Sequence, residues 1–173
     1  MKTKFIVIAL GLVGIFSDLF AASLKVGDAA PLFESKLHTG ADFKLTDQKG
    51  KWTVLYFYPK AETPGCTKQA CAFRDSVKVL QKLGAEIYGV SIDGVEAQKK
   101  FHEKHSLNFD LIADSSGKVI KAYGTQMPVL GWSKRHTFII DPELVIRDIN
   151  TNVDPAKDPQ VSADKIKELQ AKK

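Results

Sequence analysis

Cysteine is scarce in this chain, with two among 173 residues. A scaffold stapled by several disulfides is therefore excluded. Long apolar stretches are scarce too. The run from Phe5 to Phe16 is broken only by Gly11 and Gly14, and its 12 residues fall short of the about 20 that a membrane-spanning helix needs. A polytopic membrane protein is excluded on that ground. There is no internal repeat, no low-complexity stretch, no phosphate-binding glycine loop and no nucleophile-elbow motif. Neither sign of charge dominates: 25 Lys and Arg stand against 20 Asp and Glu, a net charge of +5. The bases are scattered among the acids, so the excess marks a solvated mixed-charge surface and not a nucleic-acid site. What is present is an ordinary globular composition, 44% hydrophobic and 26% charged, with enough chain for one domain around its own core.

The first residues stand apart. Met1-Lys2-Thr3-Lys4 is basic, the apolar run follows, and Ala21-Ala22-Ser23 are small. This is the layout of a secretory signal peptide. Asp18 interrupts any longer span, which disfavours an uncleaved anchor, and no cysteine follows the run to carry a lipid. The expected division is a signal peptide over residues 1–23, cleaved after Ser23, Ala22 or Ala21, and a single domain over 24–173. The expected location is outside the cytoplasm, in a bacterial periplasm, with no stable membrane association after cleavage.

Periodicity and turn residues divide the rest into alternating elements. A hairpin is expected from Phe33–Leu37 and Asp42–Leu45, then a central strand at Lys51–Tyr58 rich in aromatic and β-branched residues. A helix follows at Thr67–Leu83, a strand at Glu86–Ile92, a helix at Val95–His105 and a strand at Phe109–Ala113. Then come a short helix at Lys118–Tyr123, strands at His136–Ile140 and Leu144–Ile149, and a closing helix at Val161–Ala171. The order β-β-β-α-β-α-β-α-β-β-α predicts an α/β domain with a mixed central sheet, helices on both faces and an N-terminal β-hairpin extension. A parallel half followed by an antiparallel hairpin and a closing helix is the thioredoxin-like arrangement.

Both cysteines fall in one segment, Tyr58-Pro59-Lys60-Ala61-Glu62-Thr63-Pro64-Gly65-Cys66-Thr67-Lys68-Gln69-Ala70-Cys71. It lies where a strand ends and a helix begins, at the sheet edge where α/β folds place ligands. Unpaired N–H groups and the positive end of the helix dipole favour an anion there, and a thiol so placed is activated as thiolate, the nucleophilic form. Pro64-Gly65 predicts a tight turn that lets backbone approach whatever Cys66 attacks.

Cys66 shares the apolar stripe of Ala70, Phe73, Val77 and Leu80, while Cys71 shares a polar row with Asp75, Lys78 and Lys82. Five residues of intact helix separate the two Cα atoms by about 8.7 Å, and a disulfide needs less than about 7 Å. The pair can join only if the first turns unwind. A static structural bridge is the plainer alternative, but so short a loop gains only about 2 kcal/mol before strain. Two inert thiols are another, which suits Cys66 better than Cys71. A disulfide oxidoreductase acting on proteins also stays open, although such enzymes mostly use Cys-x-x-Cys, as does a binding module with an incidental bridge.

Pro59-x-x-x-Thr63-x-x-Cys66 resembles the peroxiredoxin active-site pattern. Thr63-Pro64-Gly65-Cys66-Thr67-x-Gln69-Ala70-Cys71 is similar to the bacterioferritin comigratory protein or peroxiredoxin Q subgroup. The resemblance runs from Val26-Gly27-Asp28-x-Ala30-Pro31-x-Phe33 to Lys134-Arg135-His136-Thr137-Phe138-Ile139-Ile140-Asp141. It implies a thiol-dependent peroxidase acting on hydrogen peroxide and organic hydroperoxides. Cys66 would be the peroxidatic nucleophile and Cys71 the resolving thiol. Thr63 would hydrogen-bond the peroxide, Pro59 would shield the thiolate, and Arg135 would stabilise the thiolate and polarise the O–O bond. The resemblance further implies a thioredoxin-type reductant, no cofactor or metal, and a monomer or weak dimer. The segment from Tyr123 to Trp132 departs from the form common in bacterial members and is expected at the rim of the site.

Other candidates read as structural. His102-x-x-His105 lacks a third ligand at a suitable spacing, and both are expected at the surface. His38 and His136 look isolated. Trp52 and Trp132 are expected to pack.

Overall fold

The computed structural model describes residues 23–172, so the expected signal peptide lies almost wholly outside the described residues. The elements are β1 (Glu34–Leu37), β2 (Asp42–Lys44), β3 (Trp52–Phe57), α1 (Pro64–Lys82), β4 (Ala85–Ser91), α2 (Val95–Lys104), β5 (Asp110–Ala113), α3 (Lys118–Ala122), β6 (His136–Ile140), β7 (Ile146–Asn150) and α4 (Asp158–Ala171). Their order is the expected one. One sheet runs β2-β1-β5-β4-β3-β6-β7. The central pairs β3/β4 and β4/β5 are parallel, and the pairs outside them are antiparallel. The N-terminal hairpin joins the sheet by pairing β1 with β5.

β3 is buried at all six positions, which explains a sequence that is apolar apart from Thr53. Trp52, Val54 and Tyr56 face a core built with Phe73, Val77 and Leu80 of α1, Phe101 of α2, and Ala163 and Ile166 of α4. Leu55 and Phe57 face the other side, with Phe43, Val119, Ile120 and Tyr123. Helices thus cover both faces. Gly89 of β4 lies opposite Tyr56 in the parallel register, and a Cβ there would sit 2.5 Å from the Tyr56 hydroxyl. The large ring in the core requires the small residue beside it.

Three boundaries differ from expectation by more than one residue. α1 starts at Pro64, three residues early, so Pro64-Gly65 is not a turn but the first helical turn. Proline suits that position because its fixed φ is helical and the missing N–H would have had no helical partner. α4 starts at Asp158 for the same reason, with Pro159 inside its first turn. β7 begins only at Ile146, because Leu144 takes φ 63° in the preceding turn. Buried Asp141 shapes that turn by accepting the Glu143 and Val145 N–H groups, each at 2.9 Å. A 3-10 helix at Leu45–Gln48 was not foreseen.

Candidate active site

The chain leaves β3 at its carboxyl end and reaches α1 through Tyr58-Pro59-Lys60-Ala61-Glu62-Thr63. This connection is anchored. The Ala61 N–H donates to Asp93 Oδ2 at 2.8 Å. Glu62 stands in the left-handed region at φ 65°, where its carboxylate meets Lys104 and lies 3.5 Å from His105 Nε2 at the end of α2. Thr63 precedes the first helical residue, yet its hydroxyl donates to the Lys60 carbonyl at 3.1 Å and does not cap the helix. The first-turn N–H groups of α1 therefore have no side-chain acceptor from Thr63.

Cys66 sits in that first turn and is 1% exposed. The antiparallel register Phe57↔His136 brings the start of β6 beside the end of β3. Arg135, one residue before β6, thereby reaches the sulfur, and its Nη2 donates to Cys66 Sγ at 3.3 Å. Gly65 makes room for this approach, since a Cβ there would lie 3.2 Å from Arg135 Nη2. Of the five residues singled out, Cys66 and Arg135 touch, while Pro59 and Thr63 lie on the connection leading to Cys66. Cys71 is half-buried on the same unbroken helix, and both thiols are free. Asp75, Lys78 and Lys82 in its row are exposed as expected.

Behind Arg135 lies a network that sequence reasoning missed. Arg135 Nη1 donates to Gln69 Oε1. Gln69 Nε2 donates to Asp158 Oδ2 at 2.7 Å, and so does Thr137 Oγ1 at 2.7 Å. Gln69 and Asp158 are both essentially inaccessible. Burial pushes the Asp158 carboxyl up from its ordinary range, opposed by the Thr137 and Gln69 hydrogen bonds and the Arg135 charge. Its other oxygen, Oδ1, has no hydrogen-bond partner. The available signal was a glutamine in the otherwise apolar stripe of α1, which needs a polar partner once buried.

The rim is also placed. Lys60 Nζ lies 5.3 Å from the centre of the Trp132 ring, so Trp132 borders the connection before Cys66, while Tyr123 at the other end of the segment expected there is buried in the core on the opposite face. Val129 and Leu130 between them are exposed. The histidine expectations need correction. His38 and His102 are not isolated or solvated but stack on each other at 3.8 Å between ring centres. Burial lowers the pKa of both. His105 is half-buried against Phe101. The His38–His102 contact joins distant segments and leaves no periodic trace. No group of three or more metal-binding side chains occurs among the described residues, and no described helix is long and apolar enough to cross a membrane.

Residues 26–149 match the AhpC/TSA family. Peroxiredoxin Q of Sedum lineare is 42% identical over 137 residues, which is 79% of this chain and 73% of that protein. The chain belongs to the peroxiredoxins, in their bacterioferritin comigratory protein or peroxiredoxin Q subgroup. It resembles peroxidoxin BcpB from Mycobacterium tuberculosis with a TM-score of 0.79 at 32% identity, covering 84% of this chain and 98% of that one. A mutant of Xylella fastidiosa PrxQ gives a TM-score of 0.81 at 25% identity, covering 86% and 99%. The fold is thus the thioredoxin-like one of peroxiredoxins, and the chain is a thiol-dependent peroxidase. Peroxiredoxins act on peroxides and draw on thioredoxin-type reductants.

Proposed function

We propose that this peroxiredoxin reduces hydrogen peroxide and organic hydroperoxides outside the cytoplasm through a Cys66 sulfenic acid and a Cys66–Cys71 disulfide. The observation that carries the reading is the Arg135 guanidinium 3.3 Å from a buried sulfur in the first turn of α1. The Cys66 thiolate forms an S–O bond as the O–O bond breaks. The leaving oxygen takes a proton and departs as water or an alcohol, and S–OH remains. Arg135 sets N–H donors and positive charge against the reacting atoms, where negative charge moves onto the departing oxygen. Thr63, released from the Lys60 carbonyl, donates its hydroxyl to the peroxide, and Pro59 shields the sulfur from water. The start of α1 then unwinds. The Cys71 sulfur bonds to Cys66, and water leaves. A thioredoxin-type dithiol restores both thiols by exchange, taking the disulfide's place in oxidised form. No metal or organic cofactor enters this cycle.

A protein-disulfide oxidoreductase is the less suitable reading. Its nucleophile must meet a protein disulfide, whereas Cys66 is 1% exposed. Single-turnover and steady-state peroxide consumption test the assignment. Cys66→Ser should abolish consumption, and Cys71→Ser should stop after one equivalent and recover with a small external thiol. Undiminished turnover in Cys66→Ser would overturn the assignment. The export reading rests on residues 1–23, and sequencing the N-terminus of protein recovered from the periplasm tests it, with processing expected near Leu24.

A further inference from the structure

We propose that Asp158 is a positioning residue that latches the reactive end of α1 and so sets how long the Cys66 sulfenic acid persists. The inference rests on the Cys66–Cys71 cycle proposed above. Gln69 lies between the two cysteines, in the stretch that must lose helical form for them to pair. Both ends of its amide are occupied: the oxygen accepts from Arg135, and the nitrogen donates to Asp158. Asp158 opens α4 and is held in turn by Thr137 of β6. One chain of hydrogen bonds, Cys66–Arg135–Gln69–Asp158–Thr137, therefore joins α1, β6 and α4.

Unwinding breaks this chain at Gln69. Arg135 loses its acceptor, and a 1% exposed carboxylate is left with Thr137 as its single donor. Its Oδ1 already lacks a partner, so the loss falls on a group with little other stabilisation. Folded α1 is thus favoured by a residue almost ninety positions away that touches neither thiol. A longer-lived sulfenic acid has more time to meet a second peroxide and form sulfinic acid. The same latch that keeps Arg135 aimed at Cys66 exposes Cys66 to over-oxidation.

The test uses the whole protein, with hydrogen peroxide and no reductant. Quenched samples are resolved by intact mass into thiol, trapped sulfenic acid, disulfide and sulfinic acid. Asp158→Ala should raise the first-order constant for disulfide formation roughly ten- to a hundredfold and lower the sulfinic fraction at high peroxide. Asp158→Asn, which keeps an oxygen acceptor, should stay much closer to the parent, and a merely structural role would not produce that rescue. A disulfide constant unchanged in Asp158→Ala overturns the latch alone. A parent that forms no Cys66–Cys71 disulfide overturns the cycle beneath it as well. A measurement on the parent guards against a variant that fails to fold. Amide exchange over residues 158–163 should quicken in the disulfide form while residues 118–122, on the opposite face, stay unchanged. Equal exchange of 158–163 in both forms overturns the proposal.

Discussion

The two edges of the sheet hold contrasting polar sites. At the amino ends of β4 and β5 is a cavity of about 390 Å³, lined by His38, His102, Tyr88 and Asp110 among others. At the carboxyl end of β3 a buried sulfur is met by a guanidinium. The hollow has room but no thiol, and its imidazoles stack as a pair whose pKa values burial lowers. The other edge has a guanidinium donor set against one buried sulfur. The cavity and the proposed nucleophile are thus separated in this molecule, and the nucleophile lies at the point where charge, helix terminus and sulfur coincide.

The sharpest way to break the comparison is to remove the charge. Arg135→Met should lower the second-order rate with peroxide roughly a hundred- to a thousandfold, by stopped-flow, while His102→Gln leaves that rate within about twofold. Arg135→Lys should recover little, because an ammonium lacks the fork that serves Cys66 and Gln69 together. Next comes the support between the edges. Gly89→Ala drives a methyl against Tyr56 and should cost about 1–3 kcal/mol of stability in denaturant unfolding. A third change separates stability from activity. Gly65→Ala should strengthen α1 by up to about 1 kcal/mol, yet slow peroxide reduction about tenfold by displacing Arg135. The smallest effect belongs to the hollow. The pKa values of His38 and His102 are lowered in the fold, so the unfolded chain binds protons first as pH falls. Their contribution to stability is present above the ordinary histidine value and lost as pH drops through the lowered ones. Unfolding midpoints should fall from pH 7 to pH 5, and less so in His102→Gln.

Much of this was legible in the chain. The alternation of elements fixed the sheet and its helices because each buried face leaves a period. The strand-to-helix junction located Cys66, and helix geometry separated it from Cys71. Less was legible wherever a polar side chain answers another from a distant segment. Gln69 shows in sequence only as a polar residue in an apolar stripe; nothing local names Asp158 as its acceptor. His38 and His102 looked unrelated for the same reason, since their meeting depends on how β1 and α2 pack at one sheet edge. The early start of α1 was missed because Pro64 was read as a turn residue, where proline opens a helix equally well.

Trp132 beneath Lys60 has a spectroscopic consequence. The chain has two tryptophans. Trp52 is buried in the core at the start of β3, while Trp132 is partly open beside Lys60, on the connection that leads to Cys66. One indole emits from a fixed apolar setting, and the other feels a cation whose position depends on the connection before Cys66. Oxidation at Cys66 should therefore change the Trp132 emission against a constant Trp52 signal, a readout that needs no attached dye.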